Sequence, residues 1–281
     1  MTGLVMEGGA MRGMFTAGVL DVFMAHGLTF DAAIGTSAGA CFGCNIKSQQ
    51  PGRAIRYNKR FCRDRRYCSL YSLLRTGDLY GADFCYHRIP EELDPFDTEA
   101  FRQSPMAFYV TATDVRTGQP VYHRCDTGDA ADVQWMRASA SMPIVSRPVR
   151  LDGRLLSDGG TADSIPLAYL ERQGYARNVV ILTQPLGYRK RVTAMTGAMR
   201  LALLRYPALG RALAARPAMY NAQLDYIAAQ EKAGRCLVIR PPEPLNIHAP
   251  CHDANELERV YQLGRAEAER QLRQVCEFLD G

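Results

Sequence analysis

The sequence of 281 residues contains no long apolar run. A membrane-spanning helix needs about 18 or more consecutive apolar residues, so we expect none. No basic segment precedes the first apolar run, which predicts that the chain has no secretory signal. Nine cysteines without such a signal indicate free thiols in a reducing, cytoplasmic setting. Their spacing relative to the five histidines fits no zinc site, so we expect no metal.

The composition is that of an ordinary folded protein. Hydrophobic residues make up 47% of the chain and charged residues 22%, which argues against disorder. No repeat, low-complexity segment or linker divides the chain, so we expect residues 1–281 to form one domain with a full core. The formal net charge of +5 is compatible with an anionic partner but does not demand one. We expect no nucleic-acid partner.

Strand-like and helix-like segments alternate from the first residues. Residues 4–6 predict a buried strand that ends in a glycine-rich loop, and the apolar spacing over 11–25 predicts a helix. A second strand is predicted at 30–34, before another helix. This βαβα order is typical of a parallel sheet covered by helices. Further strands are predicted within 106–124, 155–160, 178–184 and 236–241, and further helices over 166–173 and 254–279.

Two segments are conspicuously basic. Residues 53–66 contain seven Lys or Arg against one acid, Asp64. Residues 172–224 contain nine Lys or Arg and no acid, and Leu and Arg alternate at near-helical spacing within 199–220. A basic amphipathic helix can lie in a membrane interface, although a solvated face on a core-packed helix is the alternative. Residues 53–66 and 186–216 are therefore candidate contacts with an anionic membrane.

Ser37 stands in the sequence Gly35-Thr36-Ser37-Ala38-Gly39, between a predicted strand and a predicted helix. In this G-x-S-x-G pattern, a nucleophile elbow, a strand turns so sharply into a helix that the flanking residues must be small. We therefore predict that Ser37 is a catalytic nucleophile and that Gly35 and Gly39 form the elbow. A small residue in a tight turn is the alternative.

The loop that follows the first predicted strand can supply an oxyanion hole. N–H groups at the start of a helix are unpaired and can bind a developing negative charge. In a parallel sheet this loop and Ser37 would both lie at the carboxyl ends of their strands. A plain glycine turn or a phosphate cradle is the alternative, although the G-x-G-x-x-G of a nucleotide site is absent. The predicted loop residues are Gly8, Gly9, Ala10, Met11, Arg12 and Gly13.

Two kinds of residue could accept the Ser37 proton. The chain order Ser37, Asp158, His248 matches an α/β-hydrolase triad, but that fold places several strands before its serine. Alternatively, Asp158 could act directly, because the following Gly159 and Gly160 let the backbone approach another loop closely. An aspartate with its ordinary pKa of about 3.9 is a poor base at neutral pH. We therefore expect a dry pocket that raises the pKa of Asp158.

Taken together, these motifs resemble those of the patatin-like phospholipases. Residues 8–13 are similar to the family's oxyanion motif, and residues 35–39 to its nucleophile elbow. Residues 158–160 are similar to its D-G-G/A motif, and residues 138–143 to an intermediate family block. The four motifs occur in order and cover roughly residues 3–185, so the resemblance is specific.

The resemblance implies a three-layer α/β/α fold with a mostly parallel central sheet. It also implies a dyad of Ser37 and Asp158 that cleaves lipid acyl esters through an acyl-serine, with no cofactor. Residues 186–281 carry no motif of the family and are predicted to be a helical extension packed on the domain. One departure is Ala10, which stands where the family has a third glycine. An alanine there costs about 1 kcal/mol if its φ is positive.

Several alternatives remain open at this point. The chain could be a histidine-dependent esterase that uses His248, or a non-catalytic protein whose glycine loops hold an anionic ligand or lipid. Arg12 could support the glycine-rich loop or contact a substrate phosphate. Cys41 and Cys44 could form a redox pair, or they could be two small buried residues on one helix face.

Overall fold

The computed structural model describes residues 1–192 and 203–280. Residues 193–202, which include part of the predicted basic segment 186–216, and residue 281 lie outside the described residues. In the described ranges, no helix combines the length and the apolar character needed to cross a membrane.

Eight strands of the described residues form one mixed sheet in the order β5-β6-β3-β2-β1-β7-β8, with β4 also paired to β3. Strands β3, β2, β1, β7 and β8 are neighbours in this order and run parallel. Strands β4 and β6 run antiparallel to β3, and β5 runs antiparallel to β6. The strands are β1 (Thr2–Met6), β2 (Ala32–Thr36), β3 (Ala107–Asp114), β4 (Pro120–Cys125), β5 (Val149–Leu151), β6 (Arg154–Asp158), β7 (Arg177–Ile181) and β8 (Cys236–Ile239).

Helices connect these strands and cover both faces of the sheet. The α-helices are α1 (Gly13–Ala25), α2 (Ala38–Lys47), α3 (Arg53–Phe61), α4 (Leu70–Thr76), α5 (Thr98–Gln103), α6 (Ala130–Ser139), α7 (Leu167–Arg172), α8 (Pro207–Lys232) and α9 (Ala254–Asp280). In the part of the chain that the structure describes, 3₁₀ turns cover Ala10–Arg12 and Gly159–Thr161, and a π-helical segment covers Phe84–Leu93.

The core has two halves, one on each face of the sheet. Because successive strand residues point to opposite faces, Leu4 and Met6 of β1 pack in one half and Val5 in the other. The first half includes residues of α1, α2, α6 and α9, and the second includes residues of α7 and α8. The sheet is therefore the middle of three layers, which confirms the predicted α/β/α fold.

The C-terminal residues take part in this architecture. Strand β8 extends the sheet next to β7, and α9 packs against α1. The two helices cross closely, since a Cβ atom on Gly264 would lie 2.0 Å from the Phe15 carbonyl oxygen. A Cβ atom on Gly18 would lie 2.1 Å from the Tyr261 carbonyl oxygen.

Candidate active site

Strand pairing places Ser37 and Asp158 on opposite sides of β3 at nearly the same level. Thr36, the last residue of β2, pairs with Thr111, and Asp158, the last residue of β6, pairs with Ala112. Both side chains are buried, with Ser37 9% exposed and Asp158 6% exposed. The two side chains line the same cavity.

The backbone turns sharply at Ser37, as expected of an elbow. Ser37 has φ 54° and ψ −119°, a conformation that non-glycine residues rarely adopt. A Cβ atom on Gly35 would lie 2.3 Å from the Gly39 carbonyl oxygen, so the turn has no room for a side chain there. The Ser37 N–H donates to Oγ of Ser139 at 2.8 Å, a contact that no sequence motif indicated.

The backbone at Asp158 is held from two sides. The Asp158 N–H donates to the Ser141 carbonyl at 2.8 Å, and the Thr113 hydroxyl donates to the Asp158 carbonyl at 2.8 Å. Oδ1 of Asp158 accepts the Gly160 N–H at 2.8 Å. A Cβ atom on Gly159 would lie 2.1 Å from the Thr111 carbonyl oxygen, so only glycine allows this close approach.

Burial raises the pKa of Asp158 above its ordinary value, because a charged carboxylate is poorly solvated in a dry site. Three neighbours oppose this effect and lower the pKa: the positive charge of Arg216, the nearby Ser37 hydroxyl and the Gly160 N–H. The net direction is upward, which suits a carboxylate that accepts a proton.

The raised pKa of Asp158 predicts the acid limb of the pH–rate profile. As pH falls through that pKa, which lies above 3.8, Asp158 gains a proton and can no longer accept one from Ser37. We expect kcat/KM for a neutral ester to fall along this limb. Arg216→Gln should move the limb to higher pH, because Arg216 lowers the pKa of Asp158. A limb that Arg216→Gln leaves in place, in protein shown to be folded by circular dichroism, would contradict this prediction.

The glycine-rich loop approaches Ser37 closely, since a Cβ atom on Gly8 would lie 3.2 Å from Cβ of Ser37. Three of the six predicted loop residues use their N–H groups within the protein. Gly8 donates to the Ser164 carbonyl at 3.3 Å, Arg12 to the Gly9 carbonyl at 3.1 Å, and Gly13 to carbonyls of the 3₁₀ turn. The N–H groups of Gly9, Ala10 and Met11 have no such acceptor among the described residues, so they stay the candidates for an oxyanion hole.

A buried carboxylate at the start of this loop connects it to the C-terminal part of the chain. Glu7 is 1% exposed and accepts the hydroxyl of Tyr220, on α8, at 2.6 Å. It also accepts the Thr183 N–H at 2.5 Å, and Nε of Arg12 donates to the Thr183 hydroxyl at 3.4 Å. Arg12 therefore supports the loop. The roles of Glu7 and Tyr220 had no sequence signal, because 213 positions separate them.

Two cavities meet at Ser37 and differ in character. The first has a volume of about 80 Å³ and is lined mainly by apolar, aromatic and cysteine side chains, including Phe42, Tyr57 and Met142. Burial raises the pKa of Cys41, which also lines it, to about 12. Cys41 is therefore a neutral thiol in an apolar wall.

The second cavity has a volume of about 480 Å³ and contains both Ser37 and Asp158 in its wall. Unlike the first cavity, it is lined by three cationic side chains in addition to the glycine-rich loop. The three cations are Arg12, Lys190 and Arg216. Apolar side chains line the second cavity as well, namely Met142, Pro143, Ile144, Val145 and Leu213. The second cavity therefore differs from the first in its charged side chains, not in lacking an apolar wall.

A family model described as patatin-like phospholipase matches residues 4–170, more than half of the chain. The chain belongs to the patatin-like phospholipase family. This family is one of hydrolases that act on lipid esters. The residues that resemble the patatin-like motifs, including Ser37 and Asp158, all lie within the matched range. A second family model, described as a domain of unknown function (DUF6363), matches residues 206–280.

Several proteins are similar to this patatin-like chain. YjjU, an uncharacterised protein of Escherichia coli K12, is 33% identical over 276 residues, 93% of this chain and 74% of that protein. An uncharacterised NTE family protein of Mycobacterium tuberculosis is 27% identical over 165 residues, 59% of this chain and 44% of its own length. Lysophospholipase nte1 of Emericella nidulans is 24% identical over 294 residues, covering 97% of this chain but 18% of that protein.

The chain therefore spans less than half of the mycobacterial relative and about a fifth of the fungal one. Among solved structures, VipD from Legionella pneumophila is similar with a TM-score of 0.49 and 14% identity, over 97% of this chain and 67% of that chain.

The histidines of the patatin-like chain lie away from Ser37. Among the described residues that line the two cavities at Ser37, none is a histidine. His248 is exposed in the loop before α9, and Nδ1 of His252 contacts the Cys62 carbonyl at 2.6 Å. The ring of His123 stacks on Trp135. This geometry does not support a triad that includes His248.

Ala10, the departure from the family's glycine, has φ 47°. An L-residue in this left-handed region is strained by about 1–2 kcal/mol, part of which the greater flexibility of unfolded glycine offsets. We expect Ala10→Gly to stabilise the patatin-like chain by up to about 1 kcal/mol, measured as a higher Tm. Ala17→Gly, within helix α1, should instead destabilise it. Equal losses of stability in the two variants would contradict the strain at Ala10.

Proposed function

We propose that this chain cleaves the acyl ester of a lipid, in the manner of a phospholipase A or lysophospholipase, through a dyad of Ser37 and Asp158. The observation that carries the proposal is the pairing of a strained serine with a buried carboxylate whose pKa is raised. The fungal relative named as a lysophospholipase supports the substrate class.

In the first step, Asp158 accepts the proton of the Ser37 hydroxyl while Oγ attacks the ester carbonyl carbon. The carbonyl oxygen becomes an oxyanion, which the N–H groups of Gly9 and Ala10 stabilise. Such donors act strongly because they are already oriented, and losing one typically costs about 10²–10³ in rate. The bond to the alcohol oxygen then breaks. The alcohol leaves with the proton from Asp158, and an acyl-serine remains.

In the second step, water replaces the alcohol. Asp158 accepts a proton from the water molecule, whose oxygen attacks the acyl-serine carbonyl. Breaking the bond to Oγ releases the fatty acid, and the proton returns to Ser37. The first cavity beside Ser37 is suited to the first carbons of the acyl chain, since its volume is about 80 Å³ and its walls are formed mainly by apolar and aromatic side chains.

A fluorophosphonate probe tests the proposal directly. The probe forms a covalent bond only with an activated serine, so we expect one label on the peptide that contains Ser37, identified by mass spectrometry. Ser37→Ala should remove the label. Ser48→Ala, at the end of the same helix α2, should keep it. An unlabelled wild-type protein would favour the non-catalytic alternative, in which the glycine loops hold an anionic ligand.

Peripheral contact with an anionic membrane through residues 53–66 and 186–216 stays a prediction. Within residues 53–66, four of the seven cations have ion-pair partners, so less unpaired charge is available for a membrane than the sequence indicated. The four pairs are Arg53–Asp94, Arg56–Asp94, Lys59–Glu258 and Arg66–Asp64. Co-sedimentation with anionic and neutral liposomes at low and high salt measures the contact.

A further inference from the structure

Three cations, Arg12, Lys190 and Arg216, and one carboxylate, that of Asp158, line the second cavity. In the described parts of the chain, no carboxylate oxygen lies within 4.0 Å of the charged groups of Arg12, Lys190 or Arg216. The Nε–H group of Arg216 is buried and has no acceptor among the described residues. Three cations that line one cavity without ion-pair partners are a binding surface for an anion.

Helix α8 fixes the position of this surface. Arg216, Tyr220 and Gln223 are spaced i, i+4 and i+7, so they share one face of the helix. Tyr220 donates to Glu7, and Gln223 bonds both the Asp163 carboxylate and the Ile165 N–H. These contacts hold α8 against the loops that follow β1 and β6. A Cβ atom on Gly160 would lie 3.2 Å from Nη2 of Arg216.

Lys190 is also held by α8. Its backbone N–H donates to the Asn221 side chain at 2.9 Å, and its carbonyl accepts from the same side chain at 3.0 Å. Nζ lies 4.8 Å from the centre of the Tyr220 ring. The backbone of Lys190 and the helix that carries Arg216 are therefore fixed in position before a ligand arrives.

The cavity contains more positive than negative charge, because three cations face the single carboxylate of Asp158. Burial and the positive charges of Arg216 and Arg12 together lower the pKa of Lys190 to about 8, against a smaller opposing effect of Glu7. Glu7 is already engaged by Tyr220 and Thr183. A bound anion would offset this repulsion, and Arg side chains in particular match the oxygens of a phosphate.

We propose that Arg12, Lys190 and Arg216 bind a phosphate group carried on the alcohol side of the ester substrate. This inference rests on the proposed function, because the site adjoins the scissile ester only if Ser37 is the nucleophile. The first carbons of the acyl chain would occupy the first cavity and the phosphate the second, since both cavities include Ser37 in their walls. The segment of unknown function that contains α8 thereby completes the active site.

The test compares two substrates that differ only in a phosphate, 1-octanoylglycerol and 1-octanoylglycerol 3-phosphate. Charge-assisted hydrogen bonds make us expect kcat/KM about tenfold to hundredfold higher for the phosphate ester. Arg216→Gln and Lys190→Gln should each lower this ratio by about fivefold or more. Arg211→Gln, which removes an exposed cation from the same helix α8, should leave the ratio unchanged.

A second arm separates free phosphate from phosphate on the lipid. Inorganic phosphate should inhibit hydrolysis of p-nitrophenyl butyrate competitively in the wild-type protein and less in Arg216→Gln. Equal kcat/KM for the two octanoyl esters would overturn the inference, even if inorganic phosphate inhibits. An Arg216→Gln variant that loses activity equally on both esters would also overturn it, leaving Arg216 to position Asp158. Ser37-dependent hydrolysis of p-nitrophenyl butyrate would in either case leave the proposed function standing.

Discussion

Replacing Ser37 with alanine, or Asp158 with asparagine, is expected to reduce kcat/KM for a short p-nitrophenyl ester by about 10⁴-fold or more. Ser37→Ala removes the atom that forms the acyl intermediate. Asp158→Asn keeps the shape of the side chain but removes the buried carboxylate that accepts the proton. Because the two residues act as one unit, the double variant should lose little more activity than either single variant.

The matched controls for this prediction are His248→Ala and His252→Ala. Neither histidine lines the cavities at Ser37, so both variants should keep wild-type kcat/KM. An Asp158→Asn variant with near wild-type activity would contradict the proposed dyad of Ser37 and Asp158. Loss of activity in His248→Ala would instead favour a triad enzyme.

Gly39→Ala is expected to lower the free energy of unfolding by about 3 kcal/mol and to reduce activity at least about tenfold. Its Cβ atom would lie 2.4 Å from the Met6 carbonyl oxygen and 2.9 Å from the Glu7 carbonyl oxygen. These are backbone atoms, so β1 or the elbow must shift to relieve the clash. Either shift moves the glycine-rich loop relative to Ser37.

Gly43→Ala, on the same helix α2, is the control. Its Cβ atom would lie 2.5 Å from Sδ of Met6, but Sδ belongs to a flexible side chain that can move. We therefore expect a smaller loss of stability and near wild-type kcat/KM, measured by denaturant unfolding and ester hydrolysis. Similar losses of stability and activity in Gly39→Ala and Gly43→Ala would contradict the backbone clash.

The predicted elements that formed are those with a clear apolar pattern. The strands predicted at 4–6, 178–184 and 236–241 correspond to β1, β7 and β8, and the helix predicted at 254–279 corresponds to α9. The second strand lies at Ala32–Thr36 rather than 30–34, so it continues up to the elbow.

Several elements were missed. The helix α6 has alternating polar and small residues, and β5 is only 3 residues long, so neither carries a usable periodicity. The extent of α8 was also not predicted, because Pro217 lies in its interior and proline usually interrupts a helix. We still propose that residues 186–281 form an extension of a single domain. The pairing of β8 with β7 supports this proposal.

The positions of Ser37, Asp158 and the glycine-rich loop could be predicted from the chain alone, because each depends on local backbone requirements. Gly35, for example, stands where a Cβ atom would collide with the carbonyl oxygen of Gly39, only four positions along the chain. The contributions of Arg216, Lys190 and Tyr220 have no such local requirement. They arise only when α8 packs against the loops at the ends of β1 and β6, and contacts between distant residues depend on the tertiary structure rather than on spacing along the chain.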